Sequence, residues 1–474
     1  MALRSVPALS SLLAALLLGG CLAADPPDPK LDVPAAFRQS GERVPAPPVR
    51  QDWWKSFRSA ELTRLAEVAA VDNLDIAAAV ARIEQADARA RIAGSALLPL
   101  IGATSDARRT RAGSADGSRV GDGFNRYGVG ISASYEIDLW GRNRDTLRAA
   151  EGDALAARFD RDVVSLTSTA SAAQLYVRIM AGRDRIRIAR NNLDSAQRVE
   201  RLIRDRVEAG TATALDLAQQ QSVVAGLRAD IPPIELAIEE NSASLAVLVG
   251  RAPERVAVAG SGMGGLALPQ VRAGLPSELL ARRPDIALAE ARLAAANADV
   301  QAARKAFFPS ISLTAAGGFE SIALSSLFNP GAGFYSIGAG LVQPIFEGWR
   351  LQGELDLARG REAELLQAYR RAVIGAFADV DRALAAVRKL AEQERLQRES
   401  LESSRRAYEL AGQRLREGTV DIVTVLNVQQ SLFQAEDALT QVRLARLLAS
   451  ISLYQALGGG FVTVDPRAVA ARAP

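Results

Sequence analysis

Hydrophobic and polar residues alternate along one stretch of the chain that begins at Tyr127. Apolar side chains occupy every second position from Tyr127 to Leu139, with Gly, Ser, Glu or Asp between them. A period of two gives a β-strand one apolar and one polar face. The alternation recurs in 311–319 and 335–341, and a weaker strand pattern runs over about 98–110. The pattern predicts four strands in two hairpins, about 98–139 and about 309–346, with polar loops near 112–123 and 329–333.

The hydrophobic period becomes helical after each hairpin. Between Arg142 and Glu208 there is no proline, and apolar residues are spaced alternately by four and three. This average of 3.5 is the coiled-coil period, and 67 residues of helix extend about 100 Å. We predict long helices at about 142–208 and about 349–417, followed by return helices at about 212–249 and about 422–457. Pro232 and Pro233 are expected to kink the first return helix.

The chain is an internal duplication. Matching segments recur at an offset of 207 to 210 residues, for example Gln220-Gln221-Ser222 with Gln429-Gln430-Ser431. Units of about 200 residues are too long for solenoid repeats. We therefore predict a first repeat over 59–250, a connector rich in Gly and Pro over 251–284, and a second repeat over 285–458. Each repeat consists of a helix, a hairpin, a long helix and a return helix.

The predicted strands suit two environments. A length of 10 to 13 residues fits a tilted membrane strand, which needs about 9 to 11, and equally a strand of a soluble sandwich. Four strands cannot close a barrel and lipid forbids open sheet edges, so the membrane interpretation requires several chains. Three protomers would supply 12 strands. The polar face would then line a lumen, through Ser132, Ser134, Glu136, Asp138, Ser312 and Thr314.

Composition excludes most catalytic chemistry. The 474 residues contain no His and one Cys, which removes Ser-His-Asp triads, His-containing zinc sites and disulfide frameworks. No catalytic carboxylate pair, phosphate-binding loop or nucleophile motif is present, so we expect neither an enzyme nor a metal site nor a cofactor. The 57 basic and 54 acidic residues nearly balance, so no nucleic-acid partner is implied.

The single cysteine lies at the end of an export signal. Arg4 precedes the apolar run Leu9 to Leu18, and small residues lead to Cys21. This order resembles a bacterial lipoprotein signal over 1–20, with Cys21 as the lipid-bearing first residue of the mature chain. An ordinary signal peptide with an incidental cysteine is the alternative. A tether rich in Pro is expected over 21–58 and a C-terminal tail over 459–474.

Several motifs together resemble one family. The chain is similar to the TolC-like outer-membrane efflux ducts, and within them to the lipoprotein branch of NodT or OprM type. The resemblance extends from Trp53 to Gly458. The motifs that carry it are Trp53-Trp54, Asn73-Leu74, Ala81-Arg82, Leu279 to Ile286, Phe307 to Ile311, Pro344 to Gly348, Gly418-Thr419 and Val425 to Ser431.

The resemblance implies a homotrimer in the outer membrane. Its fold would be mainly α with a transmembrane β part: a 12-stranded barrel continued by a long periplasmic coiled-coil barrel of helices. Such ducts are the passive exit of tripartite pumps that carry drugs or other small molecules. The implied partners are a periplasmic adaptor, an inner-membrane transporter of RND type, and outer-membrane lipid around the barrel and on Cys21.

The two helical hairpin ends are the candidate site. The resemblance places the closed aperture and the adaptor-docking surface there. We expect each glycine to end a long helix and the following threonine to cap the return helix. The candidate residues are Gly210, Thr211, Asp216, Gly418, Thr419, Val423 and Asn427. Val423 and Asn427 share one helix face, and Asp216 lies near the position equivalent to Asn427. Packing between helices is the alternative role of these residues.

Two residues depart from the family pattern. Relatives commonly have Asp at the position of Asn427 and a second Gly at that of Trp349. Because Asn427 carries no charge, the first departure affects any closure of the aperture that depends on a carboxylate at this position. The second places an indole at a strand-to-helix junction, where packing at the lipid interface is expected and a constriction is the alternative.

Two other functions remain as alternatives. A type I protein-secretion duct shares the architecture, but its members generally lack a lipid anchor, so Cys21 argues against it. A periplasmic coiled-coil lipoprotein scaffold without a pore would not need four alternating strands.

Overall fold

The computed structural model describes residues 29–38, 47–111 and 123–462. Its helices are α1 (Ala60–Asp72), α2 (Leu74–Ser95), α3 (Arg142–Glu208), α4 (Ala214–Ala229), α5 (Ile231–Leu248), α6 (Pro276–Arg282), α7 (Pro284–Lys305), α8 (Arg350–Arg416) and α9 (Ile422–Ala456). Its strands are β1 (Leu100–Thr110), β2 (Phe124–Ile137), β3 (Ser310–Ser321) and β4 (Gly333–Val342). This mainly helical fold contains the predicted unit of hairpin and long helix twice.

The two compact units of the chain do not coincide with the two repeats. Among the described residues, the sheet unit contains all four strands and comprises mainly 82–111, 123–157 and 289–370. The helical unit comprises mainly 47–81, 158–288 and 371–462. Each unit therefore combines segments from both repeats, and each long helix begins in the sheet unit and ends in the helical unit.

The sheet unit is built on one antiparallel sheet with the order β1-β2-β3-β4. The central pair joins the two hairpins, with Ile131 opposite Gly317. β4 ends at Val342, just before Pro344, which has no N–H to donate to a neighbouring strand. The second hairpin is therefore shorter than the predicted 309–346.

The long helices α3 and α8 each contain 67 residues and begin 208 positions apart. Small residues allow close packing in both units. In the sheet unit, a Cβ added at Gly152 of α3 would lie 2.9 Å from the Ala295 Cβ of α7. In the helical unit, a Cβ added at Gly182 would lie 2.5 Å from the side chain of Ile238. Side chains at these glycines would push the helices apart.

The first return helix is interrupted where proline predicted a kink. α4 ends at Ala229 and α5 begins at Ile231, with Pro232 and Pro233 in its first turn. That position suits proline because the N–H groups of a first turn have no partner within the helix. The second return helix, α9, runs uninterrupted for 35 residues.

The helical unit has an aromatic core that includes part of the predicted tether. Trp53 and Phe57 belong to a 3₁₀ helix and are almost fully buried, and the Trp53 ring stacks on Tyr454 at 5.2 Å. Phe37 is also buried and meets Phe377 edge to face. The interpretation of residues 21–58 as only a tether was wrong, because large aromatic side chains fix its later part in the core.

Candidate functional site

The polar wall predicted for a lumen lies on one face of the sheet. Ser134 pairs with Thr314, Glu136 with Ser312, and Ser132 with Gly102. Directly opposed residues of an antiparallel pair share a face, so these side chains line adjacent rows. The opposite face contains Ile101, Ala133, Ala315 and Ile337 in a single row. The sheet is therefore polar on one side and apolar on the other, while orientation toward a lumen stays a prediction.

Asp138 is not part of this wall. β2 ends at Ile137, and the Asp138 side chain is only 7% exposed. Its carboxylate accepts the backbone N–H groups of Asn143 and Arg144, each at 3.0 Å. These groups lack partners within the helix because they belong to the first turn of α3. Assignment of Asp138 to the barrel wall was wrong; it caps the long helix.

Gly210 and Gly418 form the two hairpin turns. Their φ angles are +73° and +72°, in the left-handed region that suits glycine. The N–H of Thr211 donates to the Arg206 carbonyl at 2.8 Å, and that of Thr419 to the Arg414 carbonyl at 2.9 Å. This is the Schellman arrangement that ends a helix.

The threonines after these glycines do not cap the return helices. Their hydroxyl groups donate to the same carbonyls as their N–H groups, and so belong to the ends of α3 and α8. The N-caps are Thr213 and Asp421 instead. The capping roles of Thr211 and Thr419 were therefore predicted two residues too early, because a Schellman turn needs additional residues before the next helix can start.

The two caps use the same two residue types in opposite order. Thr213 and Asp216 form a capping box, in which the Asp216 carboxylate accepts the Thr213 N–H at 2.8 Å. At the equivalent offset of 208 residues, Asp421 is the N-cap and accepts the Thr424 N–H at 2.8 Å. The Thr213 backbone bond holds the pKa of Asp216 below its usual value, and the Thr424 hydroxyl does the same for the pKa of Asp421.

The positions of the two N-caps also correct the predicted equivalence of Asp216 and Asn427 between the repeats. Counted from the caps, Asp216 corresponds to Thr424, and Asn427 corresponds to Gln219. The Asp216 carboxylate is already engaged at its own helix end. Val423 is 43% exposed and Asn427 is exposed on the same face of α9. These two side chains are available for contacts beyond the chain, and their place in an aperture stays a prediction.

Comparison with known proteins decides the family. The profile of the family described as "Outer membrane efflux protein" matches residues 65–251 and again residues 275–459. The two matches begin 210 residues apart and each contains a hairpin, a long helix and a return helix. The chain belongs to this outer membrane efflux protein family.

Individual relatives align along nearly the whole length. The pyoverdine export outer membrane protein OpmQ of Pseudomonas aeruginosa is 42% identical over 96% of this chain and 98% of its own. The probable efflux pump outer membrane protein TtgC of Pseudomonas putida is 33% identical over 96% and 95%. The solved structure of the outer-membrane channel OprN superposes with a TM-score of 0.86 at 27% identity, over 92% of this chain and 98% of that one.

Membership fixes the function at a coarse level. This efflux protein is an outer-membrane exit duct, and its family consists of channels, not of enzymes. Within the described ranges, no group of three acidic or cysteine side chains is arranged to hold a metal ion. Among the helices of those ranges, none has an apolar stretch of the length needed to cross a membrane.

Two buried glutamines near the tips were missed from the sequence as site residues. Gln220 is fully buried and donates to the Ala196 carbonyl at 2.7 Å, and Gln429 is 1% exposed and faces the Tyr408 hydroxyl at 3.5 Å. Each retains a buried amide oxygen that has no partner among the residues that the structure describes. The repeated Gln-Gln-Ser motif was the available signal. These glutamines join each return helix to its long helix in the efflux protein.

The two hairpins are also joined to each other. Within the helical unit, the Arg206 guanidinium donates to the Leu415 carbonyl at 2.9 Å. Leu415 and Val425 belong to a small apolar cluster beneath the second turn. The tips therefore form one packed region. Cys21, the predicted lipid site, lies outside the described residues.

Proposed function

We propose that three copies of this chain assemble into one efflux duct, in which three sheets close a 12-stranded outer-membrane barrel. The observation that carries the proposal is the four-stranded sheet with two unpaired edges. Within the described ranges, β1 and β4 have neighbours on one side only, and every residue of both strands is exposed. In lipid, each edge must find a partner strand because unsatisfied backbone groups are too costly there.

Another copy of the chain supplies that partner naturally. Since β1 and β4 run in opposite directions, β4 of one copy can pair antiparallel with β1 of the next. Two copies would give eight strands, a barrel just wide enough for its side chains to fill. Three copies give 12 strands and room for a lumen. The polar face with Ser134, Thr314 and their neighbours would then line it.

The tips complete the duct at its periplasmic end. Threefold symmetry would arrange Val423 and Asn427 in rings, next to turns Gly210-Thr211 and Gly418-Thr419. An adaptor would dock there and connect the duct to an inner-membrane transporter of RND type. The name of OpmQ, at 42% identity, supports pyoverdine or a similar molecule as the exported substrate.

A cysteine scan tests the barrel. In a Cys21→Ser background no other thiol is present. Ala103→Cys on β1 is combined in turn with Tyr335→Cys, Ile337→Cys or Ala339→Cys on β4. Within one sheet, β1 and β4 are separated by three strand spacings of about 4.8 Å, too far for a disulfide. One pair should oxidise to a covalent trimer in outer membranes, whereas each single variant should not.

Three results would contradict the assembly. The first is a scan in which no cysteine pair cross-links. The second is a series of cross-linked products that stops at dimers, and the third is purified protein that conducts no ions in bilayers after its tips are opened.

A secretion assay tests the substrate. The chain is expressed in a pyoverdine-producing strain that lacks its own exporter. Restored secretion of pyoverdine is expected, and secretion at the level of the empty vector would overturn that assignment.

The lipid anchor has its own test. We expect radiolabelled palmitate to be incorporated into the native chain and not into the Cys21→Ser variant. Label that persists in the variant would place the acyl group elsewhere.

A further inference from the structure

A cleft of about 510 Å³ lies in the sheet unit where the helices meet the sheet. It is formed by the end of α7, the residues that follow α7, the start of α8 and Trp140, which lies two residues before α3. Its lining includes Trp140, Arg304, Lys305, Phe308, Gln352 and Arg359. β3 starts two residues after Phe308. The cleft is therefore at the end of the membrane sheet from which the helices extend.

One wall of the cleft is aromatic. The rings of Trp140 and Phe308 stack at 5.0 Å with an interplanar angle of 24°. The indole N–H donates to the Pro309 carbonyl at 2.8 Å, which fixes the orientation of the ring. Phe307, also in the lining, is 37% exposed. Aromatic rings of this kind are enriched where a protein passes from lipid to water.

The remaining lining is basic. The three cations are Arg304, Lys305 and Arg359, and the lining contains no carboxylate. Lys305 forms an ion pair with the buried Asp145. Arg359 is 3.6 Å from Asp356, at the limit of an ion pair.

Arg304 differs from the other two cations. Its guanidinium forms no ion pair or hydrogen bond with any part of the chain that the structure describes. It is only half-buried. The cleft therefore has a free positive charge beside a flat apolar wall.

The first repeat shows that the fold does not require an arginine at the position of Arg304. At an offset of 210 residues, Arg304 and Lys305 correspond to Gly94 and Ser95, and Phe307 and Phe308 to Leu97 and Leu98. The same helix-to-strand junction thus forms without a cation at the position of Arg304. Lys305 has a partner in Asp145 and Phe308 has one in Trp140, so Arg304 is the residue whose presence no contact within the described ranges explains.

We propose that this cleft binds the phosphate group of an anionic phospholipid from the surrounding membrane. Arg304 would donate to the phosphate oxygens, with Lys305 and Arg359 adding positive charge. The Trp140 and Phe308 rings would contact the glycerol and the upper acyl chain, which continues along the apolar face of the sheet. Basic pockets beside membrane segments recognise lipid headgroups in this way. The proposal requires only the outer-membrane location, so its outcome is independent of the trimer and of the substrate.

Native mass spectrometry of the full-length protein in detergent tests it. Phosphatidylglycerol and phosphatidylcholine are titrated against the wild type, Arg304→Gln and Arg304→Glu. The control is Arg292→Glu, an exposed arginine on the same helix that does not line the cleft. We expect one tightly retained phosphatidylglycerol per chain. Arg304→Glu should weaken its binding about tenfold or more, whereas Arg292→Glu should change it less than about twofold.

Each other outcome overturns the proposal. Equal retention of the two lipids would show that no anionic headgroup is selected. Equal losses in Arg304→Glu and Arg292→Glu would indicate a general effect of charge. Saturation by inorganic phosphate or glycerol phosphate at the lipid's affinity would indicate a site for free phosphate. If Arg304→Gln dissociates the oligomer but keeps its lipid, the cleft is filled by a neighbouring copy.

Discussion

Replacement of Gly418 by Ala should loosen the second tip through the backbone alone. Gly418 has a φ of +72°, and a Cβ added there would meet no atom within 4 Å. A methyl group would therefore cause no clash. The substitution should destabilise the folded turn by about 1 to 2 kcal/mol, because an L-residue is unfavourable in the left-handed region. This lowers the free energy of local opening by the same amount. The open fraction of the turn should rise roughly 5- to 30-fold.

Gly412 provides the matched control on the same helix. A Cβ at Gly412 also meets no atom within 4 Å, but its backbone is helical and its φ is not positive. Gly412→Ala should stabilise the end of α8 by about 0.5 to 1 kcal/mol, because alanine loses less conformational entropy than glycine. The two substitutions add the same methyl group and should act in opposite directions.

Hydrogen exchange measured by mass spectrometry separates these effects. Peptides that cover the turn, including the Thr419 amide bonded to Arg414, should exchange faster in Gly418→Ala and slower in Gly412→Ala. Peptides from the sheet should be unchanged in both. In bilayers, Gly418→Ala should also conduct more often than the wild type. Exchange that changes in the same direction in both variants would refute the argument from backbone conformation.

Three other predictions concern charge and strain. Bonds from Thr213 and Thr424 hold the pKa of Asp216 and Asp421 below the ordinary 3.8, so the caps contribute fully above that pH and are lost as pH falls through the lowered values. Protection of the tip amides, which is exchange relative to the intrinsic rate at each pH, should therefore fall in acid and stay constant between about pH 5 and 8. Asp138→Ala should destabilise the start of α3 by about 1 kcal/mol, whereas Asp138→Asn should lose less; equal thermal stability of Asp138→Ala and wild type would count against the cap. Trp349 has a φ of +67° and is 77% exposed. Trp349→Gly should therefore raise the free energy of unfolding in detergent by about 1 kcal/mol, because glycine adopts this conformation without strain. A lower stability of the variant would show that the indole makes stabilising contacts.

Periodicity predicted the long helices well because little in the tertiary structure opposes it. The predicted 142–208 coincides with α3, and the predicted 349–417 extends one residue beyond α8 at each end. A coiled-coil helix is specified by its own repeating pattern and by the absence of proline. The break before Pro232 was equally local, because proline removes a backbone donor wherever it occurs.

Side-chain roles at the element ends were harder to predict. The alternating pattern predicted Asp138 on the polar face of a strand. A pattern of period two does not show at which residue the strand ends, and here it ends at Ile137. From the sequence alone, either Thr211 or Thr213 could be the N-cap of the first return helix. The capping box formed by Thr213 and Asp216 was readable as a Thr-x-x-Asp motif, but only the turn geometry at Gly210 shows which threonine remains for the next helix.

The exchanged order of the two caps indicates what the duplication has preserved. Thr213 with Asp216 and Asp421 with Thr424 each supply one hydroxyl and one carboxylate to a helix start, and in either order the N-cap side chain accepts the backbone N–H three residues further on. Around Arg304 the repeats instead differ in charge, since Gly94 stands at the equivalent position of the first repeat. Folding constrains both caps, and it also constrains Lys305, which pairs with the buried Asp145. Arg304 has no such partner in the part of the chain that the structure describes, and this is expected of a residue that a ligand, rather than the fold, selects.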